Sequence, residues 1–265
     1  MGHSKDSADV TSQGPVVADP DAERPTTGSR IGTLNEAPLH ADLKRWYACD
    51  GDRFEERVDG FVIDIVRDVP DKDDDRLLIE IQTRRLSAIR RKLERLLDNH
   101  SVRVVTPIAA EKWLVKHPKR ANKPPERRKS PKRGTLLDAF REWVSIAPLI
   151  GHPNLSLEVL LIHEEEIRRF DGRRGWRRRG WVTEERRLLR VVDRHRVDTR
   201  ASFQALLPDE LAEPFSTADL AKVLSAPRWL AQKVAYVMRE SGAIEIRGKD
   251  RNALLYACAP ADGRD

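Results

Sequence analysis

The chain has 265 residues, 39% of them hydrophobic and 35% charged, which allows one large buried core or two small ones. Its formal net charge is +6, with 49 Lys and Arg against 43 Asp and Glu, and the cations are concentrated in a few stretches. Two cysteines, a polar N-terminus and the lack of any long apolar run argue against a disulfide framework, a Cys-based zinc site, a signal peptide and a membrane span, so a soluble cytoplasmic protein is expected.

Residues 1–30 are Ser, Asp, Thr, Pro and Gly with almost no large apolar side chain, the composition of a disordered tail. A helix is predicted from Leu34 to Ala48, with Asn35 as its cap and Leu39, Leu43 and Trp46 or Tyr47 on a buried face. Two strands follow, closed by the favoured hairpin turn Asp59-Gly60. In the second of them, Phe61, Ile63 and Ile65 alternate with Val62, Asp64 and Val66. If the turn sets the register, Glu55 stands opposite Asp64 on the same face; a slip or bulge would undo this, and a solvated Glu55 is the expectation. The acidic run 68–75 is a surface loop without the spacing of a calcium loop. In the third strand Ile79 and Ile81 alternate with Glu80 and Gln82, which places the two polar residues on one face. Acidic side chains among β-branched residues are costly to bury unless something cationic meets them, although an amphipathic sheet facing water gives the same alternation. A helix over Leu86–Asp98, with Ile89, Leu93 and Leu96 at helical spacing, and a short strand over Val102–Ala109 complete this region.

The order helix, three strands, helix, strand, with Asp64 in the second strand and Glu80-Ile81-Gln82 in the third, resembles the PD-(D/E)XK nuclease superfamily over roughly residues 31–115. The resemblance implies an α/β fold with an αβββαβ core and a divalent metal site. Asp64, Glu80 and the carbonyl of Ile81 offer hard oxygen ligands suited to Mg²⁺ or Mn²⁺. Such an ion withdraws charge from a phosphodiester and acidifies a bound water. In several branches a glutamate of the first helix joins the site, which makes Glu36 a candidate; it is equally a first-turn glutamate favoured by the helix dipole. The family usually has lysine where this chain has Gln82, and a neutral amide can orient water but carries no charge. Lys92, three residues after Ile89, is a candidate substitute, or else one of the basic surface set Arg90, Arg91, Lys92 and Arg95.

From 116 to 133 nine Lys and Arg accompany one Glu and four prolines, which reads as an extended basic loop, either a tether or a phosphate contact. A helix around Leu136, Leu137, Phe140 and Val144 and a strand from Leu157 close a first domain over 31–170, in which His152 and His163 are structural. The connector 171–182 interleaves Trp176 and Trp181 with five arginines, among them Arg177, Arg178 and Arg179. These suit a nucleic-acid backbone and its bases, or a basic turn whose tryptophans pack on a neighbour. A second domain over 183–260 is expected to start with a helix, Glu184–Arg194, and to continue with a helix capped by Ser216 and Asp219. A further helix from Pro227 to Gly242 and a hairpin follow. Helix, turn, helix and hairpin resemble a small α+β winged-helix domain. The resemblance implies that the second helix, with Arg228, Gln232, Lys233, Tyr236 and Arg239 outward, enters a DNA groove.

Three expectations result: a Mg²⁺- or Mn²⁺-dependent endonuclease acting on DNA, a non-catalytic DNA-binding protein that keeps a nuclease-like core, or a protein-binding scaffold. No membrane partner is expected, and a homodimer is left open.

Overall fold

The computed structural model describes residues 37–69, 75–117, 124–172 and 179–260. It opens with α1 (Pro38–Tyr47), in which Pro38 occupies the first turn, where its missing N–H leaves nothing unsatisfied. Ala37 is the N-cap, without a side-chain bond, so the start expected at Leu34 moves inward; Asn35 lies outside the described residues. β1 (Arg53–Val58) and β2 (Phe61–Asp68) form the expected hairpin. Its turn residues Asp59 and Gly60 have φ of 49° and 83°, as a turn matched to strand twist requires. β3 (Arg76–Ile81) returns antiparallel to β2, and α2 (Arg90–Leu96) leads into β4 (Ser101–His117), parallel to β3.

The sheet then grows beyond the expected strands. β5 (Glu126–Lys129) pairs antiparallel with β4, β6 (Leu155–Phe170) pairs parallel with it, and β7 (Trp181–Val197) closes antiparallel on β6. The result is a seven-stranded mixed sheet in the order β1-β2-β3-β4-β6-β7, with β5 on β4, and the class is α/β. Between β5 and β6 the expected helix is broken into a 3-10 turn (Leu136–Ala139), α3 (Phe140–Trp143) and a second 3-10 turn (Val144–Leu149) that contains Pro148.

Two predicted segments are corrected. Glu184–Arg194 is strand, not helix, and the expected domain boundary at 183 falls inside it. The register of β7 against β6 skips Leu189 and Val192, and both bulged residues are exposed. These bulges interrupt the period of two, so that Leu188 and Val191, three apart, both pack inward and mimic helical spacing. In the basic loop, Glu126–Lys129 is a strand with all four side chains exposed, so no apolar alternation announced it. The flanking 118–123 lie outside the described residues.

The C-terminal elements are α4 (Arg200–Gln204), α5 (Thr217–Val223), α6 (Arg228–Glu240), β8 (Ile244–Asp250) and β9 (Ala253–Cys258). Ser216 and Asp219 form the expected capping box on α5. α6 ends at Gly242, φ 72°, where Ala243 N–H reaches back to the Met238 carbonyl. β8 and β9 pair antiparallel, and Phe215 adds one bridge to Tyr256.

The large sheet is covered on both faces. Alternate residues Ile79, Ile81, Val105 and Leu160 bury Leu39, Leu43 and Tyr47 of α1. On the other face Leu78, Val104 and Val159 join Leu93 and Leu96 of α2, Phe140 and Trp143 of α3, and Leu220, Val234 and Met238 of α5 and α6. That second cluster runs unbroken into the C-terminal helices, with Trp143 at the join, edge-on to Phe140 (4.8 Å) and Phe203 (6.0 Å). No helix among the described residues is long and apolar enough to cross a membrane. Removing the indole should therefore weaken both parts together. Trp143→Ala is expected to lower the unfolding free energy by about 3–5 kcal/mol, with a single denaturant transition by far-UV circular dichroism. Separate melting of the C-terminal helices over an unchanged sheet would contradict a shared core.

Candidate functional site

The β2–β3 ladder pairs Asp68 with Arg76 and proceeds as far as Ile65 with Ile79. One step further, at Asp64 and Glu80, the strands part. Their freed backbone donors are taken up by the two carboxylates: Ile81 N–H donates to Asp64 Oδ2 (2.8 Å), and Asp64 N–H donates to Glu80 Oε1 (3.4 Å). An unpaired buried N–H is costly, so this exchange holds both acids against the backbone.

Each face of the sheet then supplies a nitrogen-bearing side chain. From α1, His40 Nε2 lies 3.1 Å from Asp64 Oδ2. One turn on, Lys44 donates to Glu55 at 2.8 Å. The Phe54–Ile65 and Glu56–Ile63 pairs bracket Glu55 and Asp64, and Glu55, at φ 54°, is exposed, in line with the solvated position expected for it. From α2, Lys92 Nζ ion-pairs with Glu80 Oε1 and donates to the Val62 carbonyl, joining β2 to β3. The apolar spacing fixes these directions. Leu39 and Leu43 anchor one side of α1 and leave His40 and Lys44 beside it, while Leu93 and Leu96 anchor α2 beside Lys92.

The two acids titrate in opposite senses. Burial pushes Asp64 up, but the His40 hydrogen bond and charge, the Ile81 N–H and Lys44 outweigh it and hold its pKa below the usual value. Burial and the neighbouring Asp64 charge push Glu80 up to about 6, against the opposing pull of Lys92. A pair of carboxylates with divergent pKa values is a common arrangement for acid–base or metal work.

Of the residues singled out in the sequence, Asp64, Glu80, the Ile81 main chain and Lys92 come together. Glu36 lies outside the described residues. Gln82 departs from expectation, because β3 ends at Ile81. The Gln82 N–H continues to the Val105 carbonyl, but its side-chain amide donates to the Arg85 carbonyl (2.9 Å) in the following turn. His40 and Lys44 went unread, although their spacing of four on α1 was available.

On α6, Arg228, Gln232, Tyr236 and Arg239 are exposed and Lys233 half-buried. The Arg239 guanidinium lies 5.5 Å from the Tyr236 ring and ion-pairs with Glu240. Trp229, 47% exposed, belongs to the same helix and carries Arg141 of α3 over its ring at 5.4 Å, a neighbour invisible in sequence. Arg179 is exposed in the turn before β7, and Arg177 and Arg178 lie outside the described residues.

Asp64 and Glu80 provide two hard oxygen ligands, and among the described residues no three His, Cys, Asp or Glu are grouped to cage an ion. Mg²⁺ is commonly held by one or two carboxylates together with water and substrate phosphate, so the donor pair fits that ion. The raised pKa of Glu80 gives a signed prediction for the metal-free protein. Its contribution to stability is fully present below its ordinary value of 4.5 and is lost as pH rises through about 6. Relative to Glu80→Gln, the wild type should lose roughly 2 kcal/mol of unfolding free energy between about pH 4 and pH 7, read from urea titrations. A constant difference across that window would contradict the burial of Glu80 beside an ionised Asp64.

A family model described as "Domain of unknown function (DUF8091)" matches residues 37–198. That span begins at the cap of α1 and ends one residue after β7, so it takes in the whole large sheet and the carboxylate site. A protein of Treponema pallidum (strain Nichols), described as an uncharacterized protein, is 30% identical over 236 residues, covering 88% of this chain and 90% of its own. No solved structure matches. The chain belongs to the family described as domain of unknown function DUF8091.

Proposed function

We propose that this protein is a metal-dependent nuclease of PD-(D/E)XK-like architecture that cleaves DNA, with a winged-helix module formed by α5, α6, β8 and β9. The observation that carries this reading is the convergence of Asp64, Glu80 and Lys92, from β2, β3 and α2, where β2 and β3 part. The sequence similarity rested on a motif whose last position is Gln82 instead of lysine. Lys92 brings an ammonium to Glu80 from the following helix and so supplies the positive charge that the motif position lacks.

Asp64 and Glu80 would hold Mg²⁺ or Mn²⁺. When bound, the ion would polarise a phosphodiester oxygen and lower the pKa of its water. The chain's own residues divide the remaining work. Asp64, kept ionised by His40 and the Ile81 N–H, presents a fixed negative oxygen. Lys92 is a donor placed to favour negative charge developing at the reacting phosphate. Gln82, held by the Arg85 carbonyl, shapes the turn beside the site.

A second reading has one observation in its favour: the ion pair to Lys92 occupies one oxygen of Glu80, as a non-catalytic DNA-binding core would allow. Cleavage assays separate the two. Incubated with duplex DNA and Mg²⁺ or Mn²⁺, the wild type should cut, and Asp64→Ala or Glu80→Ala should abolish cutting while binding in metal-free buffer persists. Lys92→Ala should cost on the order of a hundredfold in rate, far more than Gln82→Ala. Wild-type rates in the purified Asp64→Ala variant would end the nuclease assignment.

The winged-helix part makes its own prediction. Neutralising Arg228, Lys233 and Arg239 should weaken DNA binding and flatten its salt dependence, by roughly 0.9 in log–log slope for each phosphate no longer neutralised. An unaltered slope in salt titrations would make α6 a protein-binding helix instead.

A further inference from the structure

Most arginines and lysines on the large sheet are held by acids. Lys112 and Arg186 meet Glu164, Arg127 meets Glu165, and Lys129 and Arg133 meet Glu111. Along the edge of β4 that β3 and β5 share, four exposed cations have no acidic partner among the described residues: Arg84 and Arg85 in the turn after β3, beside the candidate site, and, farther along, Arg128 on β5 and Lys132 just after it. We propose that these four residues form one strip that binds the phosphate backbone of duplex DNA and leads it to the carboxylate site; the inference rests on the nuclease reading and extends it.

Sheet geometry puts the four in line. β6 lies along one edge of β4 for nearly its whole length, so β3 and β5 must share the other edge. Along that edge β3 ends with Gln82 bonded to Val105. Further on, Gly134 N–H donates to Ala109, Ser130 N–H donates to Lys112, and β5 pairs from Trp113 onward. The basic segment thus continues the line of β3 away from Glu80. Gly134 makes the close approach workable, since a Cβ there would sit 2.6 Å from Ile108 and 2.7 Å from the Ala109 carbonyl. From Val105, level with Ile81 and accepting the Gln82 N–H, to Leu114, level with Arg128, the rise is about 30 Å at roughly 3.3 Å per residue. One duplex strand sets phosphates about 3.4 Å apart along the helix axis, so the strip matches about nine base pairs on one side of the cut.

The paired neighbours stiffen this surface, and because Lys129 and Arg133 share the one Glu111 they add a further positive charge to it. Trp113 lies beneath both Arg127 (5.3 Å) and Lys129 (5.1 Å), which fixes β5 on β4 and leaves Arg128 and Lys132 to face a ligand. A nucleic-acid backbone is the partner that four cations in a row without an acid among the described residues would recognise through counterion release.

The test uses the full chain in metal-free buffer, so that binding is read apart from cleavage. The variant Arg84→Gln, Arg85→Gln, Arg128→Gln, Lys132→Gln is compared with wild type on duplexes of increasing length across a salt series. Wild-type affinity should rise with duplex length and level off once about nine base pairs flank one side. The variant should lose roughly ten- to a hundredfold in affinity, with a slope shallower by about 3.6, four phosphates at roughly 0.9 each, while its circular dichroism stays that of the wild type. Wild-type affinity and slope in a folded variant would overturn the strip, and so would equal competition by poly-glutamate, which would mark an acidic-peptide surface. If the wild type cuts DNA while the variant binds normally, the strip falls and the nuclease reading stands. If the variant loses its slope while the wild type never cuts, the strip stands and the nuclease reading falls.

Discussion

Two carboxylates that crowd the end of one strand ladder, Glu80 buried and Asp64 half-buried, cannot both stay ionised unless cations or donors compensate them. Around Asp64 and Glu80 that constraint organises the fold. The backbone donors freed by the parting strands go to the acids, α1 places His40 against one, and α2 places Lys92 against the other. Leaving Glu80 without Lys92 would strand a nearly buried charge, and pairs broken in this way are among the costlier losses in a protein interior. The helices on opposite faces of the sheet are therefore tied to one another through the site as well as through their apolar sides.

The same constraint recurs along β4, β6 and β7. Glu158 is fully buried and meets the Tyr47 hydroxyl (2.8 Å) and Arg194. Glu164 lies equally deep between Lys112 and Arg186, and Arg186 also reaches the Thr83 carbonyl beside the site. Glu166 is acidified to about 2: burial opposes the shift, but hydrogen bonds from Arg168 and Thr183 and the charge of Lys112 outweigh it. Such pairs contribute little net stability over apolar packing. What they do here is join three strands across a sheet whose β6–β7 register shifts repeatedly. They also explain how a chain that is 35% charged still builds a wide, two-faced sheet.

The legible parts were those with local chemistry. Asp59-Gly60 announced its turn, Ser216 and Asp219 their cap, Gly242 its helix end, and the alternation around Asp64 and Glu80 placed both acids on strands. The illegible parts depended on distant partners. β5 is a strand because it pairs along the edge of β4 with Trp113 beneath its side chains, and β7 imitates a helix because two bulges alter its period. His40 looked like one more polar residue on a packing helix until the strand carrying Asp64 was placed beneath α1. Gln82 was misplaced because the alternation rule was carried one residue beyond the end of β3.

The join between sheet and C-terminal helices bears on function as much as on stability. α2, which carries Lys92, and α6, which carries Arg228 through Arg239, both bury their apolar sides in the cluster that contains Phe140, Trp143 and Ile146. Arg141 of α3 even reaches over Trp229 on the exposed side of α6. A recognition helix tethered by a flexible linker could sample many positions relative to a cleavage site. One sharing a close-packed core with it cannot, because packed interiors respond to displacement in discrete steps and not by continuous give. On the nuclease reading, the distance between the groove that α6 enters and the phosphate presented to Asp64 and Glu80 is then a property of the fold. Site choice and cut position would be coupled by geometry, with the segment from Phe140 to Leu149 as the part that transmits one to the other.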